Sequence, residues 1–191
     1  MTIPAERIRQ SPSRFPAIVL FPQAQVGTRW LNAEMQELVI AELDQTMAKF
    51  RADPRRIYLQ GFSMGATGAY RIAYRWPERF AAIVAVAGRV EPGSRYTPEE
   101  IETDRRANPF VAEPDPFGAL ALLIRKIPVW LFHGDKDEGV PVEQSRRLVA
   151  ALKKVKANVR YTEYPGVDHV GAPQKAFGET GMIEWLFRQR R

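Results

Sequence analysis

The chain alternates short, uniformly apolar runs with longer stretches whose apolar residues return every three or four positions. This pattern predicts strands buried on both faces, joined by amphipathic helices. Residues 17–21, Ala17-Ile18-Val19-Leu20-Phe21, form the first apolar run and are expected to be a strand ended by Pro22. From Asn32, a residue suited to an N-cap, Met35, Val39, Leu43, Met47 and Phe50 trace a helical stripe that Asp53-Pro54 closes. Ile57-Tyr58-Leu59 reads as a second strand running into Gly61-Phe62-Ser63-Met64-Gly65. Small and apolar residues over 66–74 suit a helix lying close to a sheet, and Pro77 stops it. Further strands are expected over 82–87, 129–132 and 159–164, with helices over 118–124, 142–155 and 176–188. Residues 88–117, with prolines at 92, 98, 109, 114 and 116, read as a lid-like excursion or a long loop carrying a short helix.

Strands that alternate with helices imply crossover connections and a parallel sheet, so the expected architecture is α/β, a single domain over 1–191. The 191 residues are enough for a substantial core. With Cys at 0, disulfides, thiolate metal ligands and cysteine nucleophiles are excluded. The 28 Lys and Arg against 22 Asp and Glu give a net charge of +6, but the cations are spread along the chain and no nucleic-acid-reading motif accompanies them. No nucleic-acid partner is expected. No apolar run has the length of a membrane span, and residues 1–14 lack the apolar centre of a secretory signal. A cytoplasmic setting is the default expectation, and a start partway through the fold is one reading of the N-terminus.

Gly61-Phe62-Ser63-Met64-Gly65 matches G-x-S-x-G between an expected strand and an expected helix. The motif has a mechanical basis: a sharp reversal pushes the serine out of the backbone, and small flanking residues avoid clashes. The competing reading is a glycine-rich turn whose serine merely caps a helix. A serine hydroxyl needs an imidazole base held by a carboxylate. Of the 2 histidines, His133 sits at a strand end, where its ring is fixed, whereas His169 lies in a glycine-flanked loop after the last strand and is the expected base. For the acid, Asp135 and Asp137 both follow the fourth strand and both are within reach. Asp135 suits the tight turn after Gly134; we take Asp137, which completes the order Ser63, Asp137, His169.

Together with Phe132-His133-Gly134-Asp135-Lys136-Asp137-Glu138-Gly139-Val140-Pro141 and Gly166-Val167-Asp168-His169, the serine motif resembles the α/β-hydrolase superfamily. More narrowly it is similar to the esterase, feruloyl-esterase and polyhydroxyalkanoate-depolymerase-like branch, often labelled predicted peptidases. Phe21-Pro22-Gln23, Trp30, residues 53–58 and residues 77–82 carry the same likeness, which runs from about Phe15 to the C-terminus. The resemblance implies Ser63 as nucleophile, Asp137 as acid and His169 as base. It also implies no cofactor, no metal and the backbone N–H of Met64 as one oxyanion donor.

The chain departs from that family in lacking the strands ahead of residue 17 and the His-Gly-x-Gly loop that supplies a second oxyanion N–H. Loss of one such donor costs roughly 10²- to 10³-fold in rate. Gln23, with Ala24 and Gln25, is the nearest expected substitute. A reduced, mostly parallel sheet of about five sequential strands follows, with its crossover helices on one face and only the C-terminal helix on the other. An apolar face left bare calls for a homodimer or higher oligomer to cover it. Trp30 and Phe62 are candidates to line an acyl pocket or, equally, to be core.

The expected activity is therefore a serine carboxylesterase for short-acyl or aromatic esters, with activity that falls on the acid side as His169 protonates. The rivals are a peptidase or thioesterase using the same three residues, a non-catalytic interaction protein of the same fold, and a metal hydrolase using His133, Asp135, Asp137 and His169.

Overall fold

The computed structural model describes residues 3–191. Helices α1 (Ile3–Gln10) and α2 (Ala33–Phe50) precede strand β1 (Tyr58–Phe62), and α3 (Met64–Arg75) leads to β2 (Ala82–Val86). Helices α4 (Pro98–Ala107) and α5 (Pro116–Ile124) come before β3 (Val129–Gly134), and α6 (Glu143–Lys154) before β4 (Val159–Tyr164). Helices α7 (Gly171–Ala176) and α8 (Thr180–Arg188) close the chain. The four strands pair in the order β1-β2-β3-β4, each neighbour parallel, with Tyr58 beside Ala82, Ile83 beside Val129 and Val129 beside Val159. This is a reduced α/β-hydrolase fold.

Because side chains alternate along a strand, the sheet has two apolar faces. On one, Ile83, Ala85, Val129 and Leu131 meet Ala66, Tyr70 and Ala73 of α3, Leu120 and Ile124 of α5, and Leu148 and Leu152 of α6. On the other, Ala82, Val84, Val86 and Phe132 meet Ala172 and Ala176 of α7 and Met182, Ile183, Trp185 and Leu186 of α8. Strand β2 is buried at all five positions, which is why its sequence is apolar throughout.

Three expectations change. Residues 17–21 are not a strand, so the sheet has four strands rather than about five, and Ile18, Val19 and Phe21 are 49%, 41% and 41% exposed. Pro16 and Pro22 bracket the run and remove ladder donors at both ends, and Ala17 N–H turns back to Phe15 O (2.7 Å). The expected closing helix over 176–188 is shorter, α8 beginning at Thr180, and a further helix, α7, forms before it in what reads as loop. Between them Glu179 adopts an extended backbone (φ −69, ψ 122) and accepts from Tyr164 Oη at 2.5 Å, letting α7 lie on β3 and α8 on β2. That pair of helices closes the second sheet face within the chain: Ala82, Val84, Val86 and Phe132 are fully buried. Among the described residues, α7 and α8 therefore cover the centre of the face that was expected to be bare. The excursion over 88–117 carries a short helix as one of its two readings expected, α4, begun by a capping box between Thr97 and Glu100. A fully buried ion pair, Arg71 to Asp104 at 2.7 Å, anchors it to α3, and Arg71 also donates to the carbonyls of Arg89 and Val90.

Candidate active site

Ser63 alone makes the connection between β1 and α3, with φ 52 and ψ −116, a positive φ rare for a residue with a side chain. Such a conformation costs about 1–3 kcal/mol and persists only where surrounding structure imposes it. Here Ser63 N–H donates to Val86 O at the end of β2 (2.8 Å), and Ser63 O accepts from Thr67 N–H (3.0 Å). Gly61 is sterically required, since a Cβ there would overlap the Gly65 carbonyl and the Ala66 nitrogen. Gly65 is different. A Cβ at that position meets nothing within 4 Å, so only one of the two flanking glycines is there for space.

His169 lies in the loop between β4 and α7. That loop is pinned by Val167 O accepting from Lys136 N–H (3.0 Å) and Asp168 Oδ1 accepting from Gly171 N–H (2.7 Å). The imidazole Nε2 is 2.9 Å from Ser63 Oγ and Nδ1 is 2.7 Å from Asp137 Oδ2. An ionised carboxylate only accepts, so Nδ1 carries the proton and the Nε2 lone pair faces the serine hydroxyl. The Phe62 ring packs against the imidazole with centroids 4.8 Å apart, and Gly139 approaches its other atoms so closely that a Cβ would stand 3.1 Å from His169 Cγ.

Asp137, with its side chain fully buried, faces four donors. Its Oδ1 accepts from Gly139 N–H (2.8 Å) and Val140 N–H (2.7 Å), and its Oδ2 lies 2.7 Å from His169 Nδ1 and 3.2 Å from His133 Nε2. Burial alone would raise this carboxyl's pKa, but the hydrogen bonds from His133, His169 and Val140 outweigh it and hold the group below the ordinary carboxylate value. Asp135 points elsewhere, its Oδ1 accepting from Gly166 N–H at 2.6 Å. Of the two aspartates, Asp137 is the one that meets the imidazole.

The other candidates are placed as follows. Met64 is the first residue of α3, where the backbone N–H has no acceptor within the helix, and its side chain is 38% exposed. Gln23 turns its amide back onto the carbonyls of Phe21 (3.4 Å) and Pro22 (3.3 Å). Trp30 packs over Gly68, one turn along α3 from the serine, so closely that a Cβ on that glycine would overlap it. Phe62 contacts the base. Sequence reasoning missed that His133, four residues before Asp137, also stands against its carboxylate. It also missed Arg89, which ties β2 to the acid-bearing turn by donating to Gly139 O (2.7 Å). Both ring nitrogens of His133 are engaged, Nε2 by Val140 O (2.9 Å) and Nδ1 by Ser145 Oγ (2.7 Å). Among the described residues no group of three or more metal-ligating side chains is placed to hold an ion.

Comparison with known proteins bears on the same residues. The chain is 25% identical over 149 residues to acyl-protein thioesterase 1 of Gibberella zeae, a match covering 78% of this chain and 54% of that one. It thus spans about half the length of that relative. Among solved structures it is similar to a thermostable esterase (31% identity, TM-score 0.62, 81% of this chain and 36% of the other). It is also similar to esterase PE8 (26% identity, TM-score 0.57, 87% and 69%). The sequence pattern of the prolyl oligopeptidase family matches residues 25–188. Because that match takes in every strand of the sheet and all three hydrogen-bonded side chains, the chain belongs to the prolyl oligopeptidase family, within the esterase-like α/β-hydrolases.

Proposed function

We propose that this chain is a serine carboxylesterase acting on short-acyl or aromatic esters through an acyl-enzyme. The observation that carries the reading is the continuous hydrogen-bonded path from Ser63 Oγ through both nitrogens of His169 to Asp137. In the first half-reaction His169 Nε2 takes the hydroxyl proton as Oγ bonds to the ester carbonyl carbon, and the carbonyl oxygen becomes an oxyanion facing the Met64 N–H. The intermediate collapses by breaking the bond to the leaving oxygen, which receives the proton from Nε2–H. Water then repeats the sequence on the acyl-serine, releasing the acid and restoring Oγ–H. Asp137 holds the Nδ1–H tautomer throughout and stabilises the imidazolium that forms.

The likeness to a protein named as a thioesterase favours one second reading, cleavage of thioesters by the same residues. The deciding experiment labels Ser63 with a fluorophosphonate and then compares matched oxyester, thioester and anilide substrates, with Ser63→Ala as control. Labelling and turnover of the oxyester, both lost in Ser63→Ala, are the expected results. A parent protein that takes no label, or a Ser63→Ala variant that still takes it, refutes the proposal. Faster turnover of the thioester transfers it to the second reading.

A further inference from the structure

Both of the chain's 2 histidines converge on a single carboxylate oxygen, Asp137 Oδ2, yet the chemistry above uses only one of them. His169 stands on a loop and is partly exposed. His133 stands at the end of the central strand β3 with no exposure at all. The protonation of the second ring follows from its partners. Val140 O only accepts, so His133 Nε2 carries a proton, which Asp137 Oδ2 shares from 3.2 Å; in the neutral ring Nδ1 then accepts from the Ser145 hydroxyl on α6. Each hydrogen-bonding atom of this buried ring is thus matched to a group from a different part of the fold.

We propose that His133 is a positioning residue for Asp137, holding Oδ2 of the carboxylate on His169 Nδ1 through the catalytic cycle. The inference rests on the hydrolase reading above. The two oxygens of Asp137 are held differently: Oδ1 is clamped by the N–H groups of Gly139 and Val140, in its own turn, whereas the donors to Oδ2 are the two imidazoles. One of these, His169, exchanges protons with Ser63 and substrate, so its hold on Oδ2 changes at every step. The other is fixed by β3 and α6. With His133 in place the acid keeps its position while the base shuttles. Without it, Oδ2 is held solely by the group it is meant to orient. Such an arrangement also accounts for a fully buried histidine where an apolar side chain would fill the volume without needing partners.

The test uses the full chain with the reactive-serine concentration titrated by a fluorophosphonate, and measures kcat and KM on a chromogenic short-acyl ester. The proteins compared are the parent, His133→Leu, His133→Gln and Ser145→Ala. His133→Leu removes the donor while keeping bulk, and is expected to lower kcat about 10- to 100-fold, the scale of a small misplacement of a reacting group, with KM nearly unchanged. His133→Gln returns an N–H donor near the Nε2 position and is expected to recover most of that loss. Ser145→Ala, which frees Nδ1, should give a smaller fall in kcat, about tenfold or less. With only two histidines to resolve, ¹⁵N resonances should report His133 as the Nε2–H tautomer.

Parent-like kcat in His133→Leu overturns the proposal, as does an equal loss in the Leu and Gln variants or a change confined to KM. Should His133→Leu fail to fold cooperatively, Ser145→Ala decides: a lower kcat at constant KM supports the role and an unchanged one overturns it. An unlabelled Ser63 in the parent would instead refute the hydrolase reading. Full labelling with equal kcat values removes the His133 role alone.

Discussion

Replacing Asp137 by asparagine exchanges one oxygen for an amide nitrogen at the point where four donors converge, and the structure dictates how the amide must sit. Its oxygen has to accept from the N–H groups of Gly139 and Val140, which stand 2.8 and 2.7 Å from Oδ1, so the amide nitrogen takes the place of Oδ2. There it faces His169 Nδ1, 2.7 Å away, and the Nε2–H of His133, 3.2 Å away. His169 can satisfy a donor only by giving up its Nδ1 proton, and the neutral ring then carries hydrogen on Nε2, pointing at Ser63. The serine loses its base. The opposite amide orientation sets the amide N–H groups against two backbone donors and is worse. The expected loss is about 10⁴-fold in kcat, equivalent to about 5.5 kcal/mol of transition-state stabilisation. Steady-state hydrolysis of a chromogenic ester, normalised to folded protein, measures it.

The same substitution has a stability signature. At neutral pH the unmatched donors should cost about 1–3 kcal/mol, read from the denaturant midpoint. Because the Asp137 carboxyl is held below its ordinary value, its contribution to folding is present above the unfolded pKa of about 3.9 and fades as pH falls toward the folded value. The gap between parent and Asp137→Asn should therefore narrow on acidification below about pH 4. A loss of activity smaller than about tenfold would refute the account of the tautomer, and a stability gap that widens in acid would refute the account of the carboxyl.

Three other outcomes follow from the geometry. Gly61→Ala should abolish soluble, active protein because its Cβ has only the backbone of Gly65 and Ala66 to move, whereas Gly65→Ala should fold within about 1 kcal/mol of the parent; equal behaviour in thermal melts would contradict the packing described. Asp104→Ala leaves the buried Arg71 guanidinium without its carboxylate and should destabilise by about 3–5 kcal/mol in urea titrations, a change under about 1 kcal/mol showing that α4 is not anchored as proposed. Gly139→Ala brings a methyl to 3.1 Å from His169 Cγ and should lower kcat much more than it lowers the melting temperature, an effect absent if the imidazole has room to retreat.

Much of this could be read from the chain itself. Strand β4 is found at the predicted residues, and β2 and β3 differ from their expected spans by one and two residues, because strands flanked by helices on both faces must be apolar at nearly every position. The serine motif announced itself through the strand before it and the small residues after it, and glycines around His169 marked a loop able to bring a base over the serine. What the local pattern lacks is the identity of partners. An apolar run such as 17–21 looks the same whether or not a neighbouring strand receives it, and prolines at both ends left it unpaired and exposed. Asp135 and Asp137 are two residues apart in one turn, and nothing short of the turn's closure around Gly139 and Val140 separates the one that faces His169 from the one that accepts from Gly166.

The break between α7 and α8 is where Tyr164 reaches Glu179, the cover over the second sheet face depends on where those two helices lie, and the anchor of α4 depends on Arg71 meeting Asp104 thirty-three residues away. His133 follows the same rule, appearing in the sequence as a strand-end residue and in space as a second donor to the acid. Sequence by itself determined backbone preference and the spacing of apolar positions, which are properties of neighbours along the chain. Tertiary structure alone decided which polar atoms meet, since a hydrogen bond requires two groups within about 3 Å and the chain's path, not its order, sets that distance.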